Sequence, residues 1–272
     1  MKIICVGDAG IDEYRNLSQS FVGGCSLNNA YHLTKDYNQL CQTSLFSPIG
    51  SDASAERVLS FCKKEGIEFL GKRYQGSTPS QIIEVLPSGE KQFISYHEGV
   101  FKDFSLSRDD LDLIENHDLV VTVVFDQNQK FFDSLYCEAE SKFVIDFMDL
   151  SDFSYDLDFV ESYLGKCQMA VIGFDHYDEL MVLKVKKLAA DYNRDFLLTF
   201  GAQGALFISE QNSQRVDAKK VEKVVDTTGA GDAFLSYFIG EYTVRGESVS
   251  RSLEVASEHA KKVVERLGCH AL

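Results

Sequence analysis

Val225-Asp226-Thr227-Thr228-Gly229-Ala230-Gly231-Asp232-Ala233-Phe234 sets two glycines and an alanine at the head of a helix-forming run. Residues without bulky side chains leave backbone N–H groups open at the helix N-terminus. Those unpaired donors and the positive end of the helix dipole attract an anion. Asp232 adds a carboxylate in the first turn, beside the bound anion. That pairing suits proton removal from a hydroxyl about to attack a phosphoryl group. The structural alternative is a Gly-containing strand-to-helix turn whose Asp only complements the dipole.

The chain around this motif has 272 residues, enough for one large α/β domain, with or without a small one. Its 44% hydrophobic and 25% charged residues are those of an ordinary globular protein. A net charge of −15 argues against nucleic acid or an anionic membrane as a general partner. A nucleotide site would have to gather positive potential locally. The seven cysteines (Cys5, Cys25, Cys41, Cys62, Cys137, Cys167 and Cys269) are scattered and contain no C-x-x-C pair. Reduced, mostly buried thiols and a cytoplasmic location are expected. No apolar run reaches the length of a membrane span, and no secretory signal is expected.

Outward from the motif, the chain alternates. Residues 3–6 read as a buried parallel strand ending at Gly7-Asp8. Leu27, Ala30, Tyr31 and Leu33 have helical spacing after Gly23-Gly24. A strand at 44–46 and a helix at 55–64 follow. Residues 81–86 and 91–96, separated by Pro87-Ser88-Gly89-Glu90, read as a β-hairpin. Further strands are expected at 119–125, 143–147, 169–172 and 196–200, with helices at 178–192, 230–244 and 249–267. Such alternation implies an α/β fold, a mainly parallel sheet with helices on both faces and ligands at the strands' carboxyl ends. One domain is expected over 1–272, with a small β-sheet lid formed mainly by about 68–98. The lid's sheet edge would need cover, most simply from a second copy of the chain.

Four further segments carry chemistry. Gly7-Asp8-Ala9-Gly10-Ile11-Asp12 ends the first strand with carboxylates suited to sugar hydroxyls, or is a solvated turn. Gly23-Gly24-Cys25-Ser26-Leu27-Asn28 opens a helix where Asn28 offers both donor and acceptor. Gly50-Ser51-Asp52 is consistent with a simple N-cap. Thr199-Phe200-Gly201-Ala202-Gln203-Gly204 ends a strand with glycines suited to a nucleotide's phosphate or ribose.

In this order the segments resemble the ribokinase-like (PfkB) family of carbohydrate kinases across essentially the whole chain. The resemblance implies ATP-dependent phosphorylation of a sugar hydroxyl, with Mg²⁺ carried by the nucleotide. It makes Asp232 the catalytic base and gives Gly229, Ala230 and Gly231 the backbone donors that hold charge on the transferring group. It assigns Asp12, Gly24 and Asn28 to the sugar, and Thr199, Gly201 and Gly204 to ATP. Asp226 and Thr228, with Arg266 and Gly268, match positions that surround a monovalent cation such as K⁺ in ribokinases. Tyr96-His97-Glu98-Gly99-Val100, Asp146-Phe147-Met148-Asp149 and the ending Gly268-Cys269-His270-Ala271 resemble family members that act on fructosamines such as fructoselysine. An amino-acid tail on the sugar could then pair with Glu98 and Asp149. The uncovered edge of the lid makes a homodimer joined through the lid the expected assembly.

Two departures stand out. The family's Asn-x-x-Glu, which helps place Mg²⁺, is replaced by Gly173-Phe174-Asp175-His176-Tyr177-Asp178-Glu179. Asp175/Asp178 and His176/Glu179 share its spacing without being that motif. The usual glycine after Asp52 is Ala55. A nucleoside kinase and a non-catalytic sugar sensor of the same fold remain as alternatives. A dinucleotide-binding oxidoreductase is poorly supported, since no G-x-G-x-x-G follows the first strand.

Overall fold

A computed structural model describes residues 1–270; Ala271 of the quoted C-terminal ending lies outside them. The strands are β1 (Lys2–Val6), β2 (Gly10–Tyr14), β3 (Gln19–Gly23), β4 (Gln42–Phe46), β5 (Glu68–Phe69), β6 (Ser80–Val85) and β7 (Lys91–His97), then β8 (Leu119–Val123), β9 (Phe143–Asp149), β10 (Cys167–Gly173), β11 (Asp195–Thr199), β12 (Ala205–Ile208) and β13 (Ser213–Val216). The α-helices are α1 (Cys25–Tyr37), α2 (Ala53–Glu65), α3 (Arg108–Glu115), α4 (Gln129–Glu138), α5 (Leu157–Glu161), α6 (Glu179–Tyr192), α7 (Ala230–Ile239) and α8 (Val249–Val264).

The large sheet has nine strands in the order β13-β12-β11-β10-β9-β8-β1-β4-β5. It is parallel from β5 to β11, and the β12–β13 hairpin adds an antiparallel edge. Strand periodicity divides the core. Ile3, Cys5, Val121, Val144 and Met169 join residues of α1, α2, α7 and α8 on one face. Ile4, Val6, Val120, Ile145 and Ala170 join residues of α3, α4 and α6 on the other. Both faces are covered, so the strands read as continuous apolar runs instead of alternating ones. Helix starts follow their caps: Asp52 accepts from the Ala55 amide at 3.0 Å, and Asp178 from those of Leu180 and Met181. Asp52 does more than cap, because it also accepts the Thr78 hydroxyl at 2.6 Å and so ties α2 to the segment leading into β6.

The smaller sheet has four strands in the order β3-β2-β6-β7. Half of it comes from 10–23, ahead of the stretch expected to form the lid. Conversely, Glu68–Phe69 at the start of that stretch pairs with β4 in the large sheet. The expected β6–β7 hairpin is present, and β2 joins it in parallel with Ile11 opposite Ser80. Among the described residues no helix is long and apolar enough to cross a membrane.

Candidate active site

The parallel strands deliver their carboxyl ends to one rim of the large sheet, and the first turn of α7 faces it. Gly229 caps α7 at φ 76°, a left-handed conformation that glycine adopts freely. A Cβ there would lie 2.3 Å from the Cys269 Sγ, so the C-terminal segment also demands glycine. A Cβ on Gly231 would meet nothing within 4 Å, so its amide borders open space. The Ala230 amide donates to the Thr227 carbonyl at 3.3 Å, leaving those of Gly231 and Asp232 without an acceptor among the described residues.

Asp232 is buried, and its carboxylate accepts from the Asn28 Nδ2 at 2.7 Å. Burial raises its pKa, while Asn28, Lys91 and the Cys25 thiol oppose the rise. Asn28 lies in the second turn of α1, which begins immediately after Gly24. Its Oδ1 is buried without a partner. Asp12 is buried nearby on β2 and occupies the space left by Gly23, whose Cβ would lie 2.1 Å from the Asp12 Oδ2. Burial, then Asp8 and Asp232, push Asp12 up to about 8, with Lys91 pulling it down. Asp12, Gly24, Asn28 and Asp232, chosen from sequence, are therefore brought together.

Three further residues share this pocket: Asp8, whose segment was read as carrying carboxylates for sugar hydroxyls, and Asp146 and Tyr96, which were quoted only within longer stretches. Asp8 follows β1 and accepts from the amides of Cys25 and Ser26, each at 3.3 Å. Asp146 lies near the end of β9, and its Oδ1 accepts the Met148 amide at 2.9 Å. Burial raises Asp8 to about 6 and Asp146 to about 7, with the Asp232 charge adding to both. Tyr96, on β7, has a fully buried hydroxyl without a hydrogen-bond partner. Its pKa is raised by burial and then by Asp8, Cys25, Glu98 and Asp12. A carboxylate closing a run of buried apolar residues, as Asp146 does, was the available signal.

The lid meets the α7 motif through its hairpin turn. The Thr227 amide donates to the Gly89 carbonyl at 3.2 Å, and the Lys91 amide donates to the Thr227 Oγ1 at 3.2 Å. The Lys91 ammonium reaches the Thr227 carbonyl at 3.4 Å. It is the basic group whose charge opposes the pKa rise of Asp12, Asp232 and Cys269.

Asp226 lies in the loop before α7, next to the C-terminal segment. It is fully buried and accepts the Tyr14 hydroxyl at 2.6 Å, the Thr228 amide at 2.9 Å and the Gly268 amide at 2.9 Å. Three donors reach its oxygens, while the Thr228 Oγ1 is buried without a hydrogen-bond partner. The bonds to Asp226 brace the loop before α7 against β2 and the C-terminal segment.

Of the residues that sequence assigned to ATP, Thr199 ends β11, and Gly201 and Gly204 bound the following turn. The Gln203 Oε1 accepts the Tyr177 amide at 2.7 Å, fastening this turn to the 173–178 loop. Asp175 accepts the Tyr155 hydroxyl at 2.6 Å and Asp178 caps α6, so both carboxylates in that loop have partners. Among the described residues no group of three or more His, Cys, Asp or Glu side chains could hold a metal ion. Glu98 acts on Tyr96, on the sugar side. Asp149 instead caps the turn at Ser151, and its charge falls on Asp152 together with those of Asp126 and Asp175. Glu98 and Asp149 thus face different surroundings.

This architecture recurs in solved structures of small-molecule kinases. A ribokinase from Arabidopsis thaliana, solved with ribose and ATP, superposes with a TM-score of 0.74 at 18% identity, covering 98% of this chain and 93% of that one. The model of the pfkB family of carbohydrate kinases matches residues 15–272, and the chain belongs to that family. It is similar to the fructoselysine 6-kinase of Escherichia coli (strain K12), at 23% identity over 263 residues, 97% of each chain. It is also similar to the fructosamine kinase FrlD of Bacillus subtilis (strain 168), at 24% identity, covering 96% of this chain and 90% of the relative. The chain is accordingly a sugar kinase, a phosphotransferase with an alcohol acceptor.

Proposed function

We propose that this kinase transfers the γ-phosphoryl group of ATP to the 6-hydroxyl of fructoselysine or a related fructosamine. The observation that carries the chemistry is the Asn28–Asp232 contact beside the open amides of α7. It puts a sugar-binding amide and a proton acceptor at one edge of an anion site. The near full-length similarity to two fructosamine-directed kinases supports the acceptor.

In this reading Asp12, Gly24 and Asn28 hold the sugar, and Asp232 takes the proton of the attacking hydroxyl. The first-turn amides of α7 hold the developing charge, with Gly229 and Ala230 shaping the turn and Gly231 leaving it open. Thr199, Gly201 and Gly204 lie along ATP. Mg²⁺ entering with the nucleotide would neutralise phosphate charge. The protein's own contribution is positioning and electrostatics. The small sheet covers the sugar and excludes water that would otherwise hydrolyse ATP. Its strand β7 is an edge strand with Phe93 and Ile94 exposed, which suits a second copy of the chain in a homodimer.

A substrate panel tests the reading. Fructoselysine, another fructosamine, fructose, ribose and adenosine are compared by ATP-dependent product formation. A preference for the fructosamines is expected. A preference for ribose or adenosine would overturn the acceptor, and no phosphorylation of any sugar would overturn the chemistry.

A further inference from the structure

Asp8 and Asp146 are buried acids whose recorded hydrogen-bond partners are backbone amides. Neither belongs to an ion pair; the ion pairs among the described residues all involve other acids. Lys91 serves the opposite half of the pocket, where it acts on Asp12 and Asp232, and it is not among the groups acting on Asp8 or Asp146. Removing a carboxylate from water without a counter-charge is costly, and an arriving cation relieves that cost.

Cys25 links the two acids. Its amide donates to Asp8, its Sγ contacts the Met148 Sδ at 3.9 Å, and the charges of Asp232, Asp8 and Asp146 all reach its thiol. The Met148 backbone is left-handed, at φ 53°, immediately after the Asp146-Phe147 pair. Two further groups in the pocket lack partners. The Tyr96 hydroxyl is fully buried near Asp8 and Cys25, and the Asn28 Oδ1 is buried on a side chain only 3% exposed. A phenol and an amide oxygen awaiting polar contacts beside uncompensated acids describe a place for a polar, cationic ligand.

We infer that Asp8 and Asp146, with the Tyr96 hydroxyl, hold the protonated amine carried on C1 of the sugar. This inference rests on the proposed fructosamine kinase activity and names the residues that select for it. In a ketofuranose, C1 lies across the ring oxygen from C6, so a C1 amine stays within one ring width of the base. That places the ammonium among acids at which the Asp232 charge registers, as it does at Asp8 and Asp146. Of the acids that sequence suggested for the amine, Asp149 caps the turn at Ser151, whereas Glu98 acts on Tyr96 and borders this group.

The test separates the inference from the reading beneath it. kcat/KM is measured for fructoselysine, for its analogue acylated on the C1 nitrogen and for fructose, with wild type, Asp146→Asn, Asp146→Ser, Asp8→Asn and Asp149→Asn. Wild type is expected to favour the charged amine over the acylated analogue. In Asp146→Asn and Asp8→Asn that ratio should fall by about 30-fold or more, the usual consequence of deleting one member of a buried charge pair. Asp149→Asn should keep the ratio. Calorimetric binding of fructoselysine and fructose without ATP gives a second readout that does not depend on turnover. A wild type indifferent to the amine would overturn both the substrate reading and the inference. A wild type that prefers the amine, with variants that keep the ratio or lose all substrates equally, would overturn the inference alone. An equal loss repaired by raised Mg²⁺ would also overturn it, by giving the acids to the metal.

Discussion

Asn28 and Asp232, 204 residues apart, are joined by a 2.7 Å hydrogen bond from the amide of one to the carboxylate of the other. The bond links the first helix of the chain to the turn that would receive a phosphoryl group. Because it favours the ionised carboxylate, it opposes the burial that raises Asp232. Asp232→Asn should keep the fold and ATP binding while lowering kcat by about 10²–10⁴, the range for a positioned base. Near wild-type turnover would remove Asp232 from the mechanism. Asn28→Ala should move the acidic limb of the pH–rate profile to higher pH, since the carboxylate loses the donor that favours its charge.

Lys91 gives a second expectation. Its ammonium favours the ionised forms of Asp12 and Asp232, and its backbone ties the lid turn to Thr227. Lys91→Met should lower kcat/KM by about 10–100-fold, on the order of losing one favourable partly buried charge contact. Lys91→Arg should restore much of it, whereas a purely structural role for the backbone would leave both variants near wild type. Steady-state kinetics on the two proteins decides.

The two glycines at the head of α7 should respond differently to alanine. Gly229→Ala meets the Cys269 Sγ and an unfavourable left-handed backbone, so unfolding by urea should begin at lower denaturant. Gly231→Ala has room in the fold and should melt like wild type. Gly231→Val fills more of the space beside the free amides and should show a large loss of turnover. Full activity in the valine variant would argue against an anion cradle there.

Tyr14→Phe removes one of three donors to a fully buried carboxylate. Hydrogen bonds to charged groups contribute about 1.5–3 kcal/mol, and a loss of that order is expected in equilibrium denaturation. An unchanged midpoint would show that Asp226 does not need the phenol.

Stability should fall as pH rises. Burial lifts Asp8, Asp146 and Asp12 to about 6, 7 and 8, above an unfolded value of roughly 3.9. The folded chain therefore binds protons more tightly, and this contribution is present at low pH and lost through those folded values. Burial has the opposite effect on His32 and on His270, which is lowered to about 3, so their contribution is lost as pH falls below roughly 6.5. The descent should be clearest between about pH 6.5 and 8, where only the acids titrate. Thermal melts of the ligand-free protein should show it, and Asp146→Asn should flatten it. An equal slope in that variant would mean Asp146 is already ionised in the fold.

The sequence carried the main sheet and the α7 motif because both depend on local signals: apolar runs ended by Gly-Asp, and small residues before a helical stretch. It did not reveal β2 and β3. Asp12 and Glu13 interrupt the apolar pattern of 10–14, and only pairing with β6 makes that stretch a strand. Asp226 was read by family position, yet its partner Tyr14 is 212 residues away. Of the two acids in Asp146-Phe147-Met148-Asp149, only Asp149 was given a role from sequence. The left-handed turn at Met148 and the register shift opposite Val171–Gly173 send them to different surroundings.

The brace around Asp226 has a consequence for protein synthesis. Tyr14 and Asn28 leave the ribosome early, whereas Asp226, Asp232, Gly268 and Cys269 leave late, and the loop before α7 needs both sets. Contacts so distant in sequence form late and slowly. A nascent chain can fold much of its parallel sheet before any phosphoryl-transfer centre exists. Cellular ATP is therefore not exposed to a half-built kinase whose sugar cover is already in place.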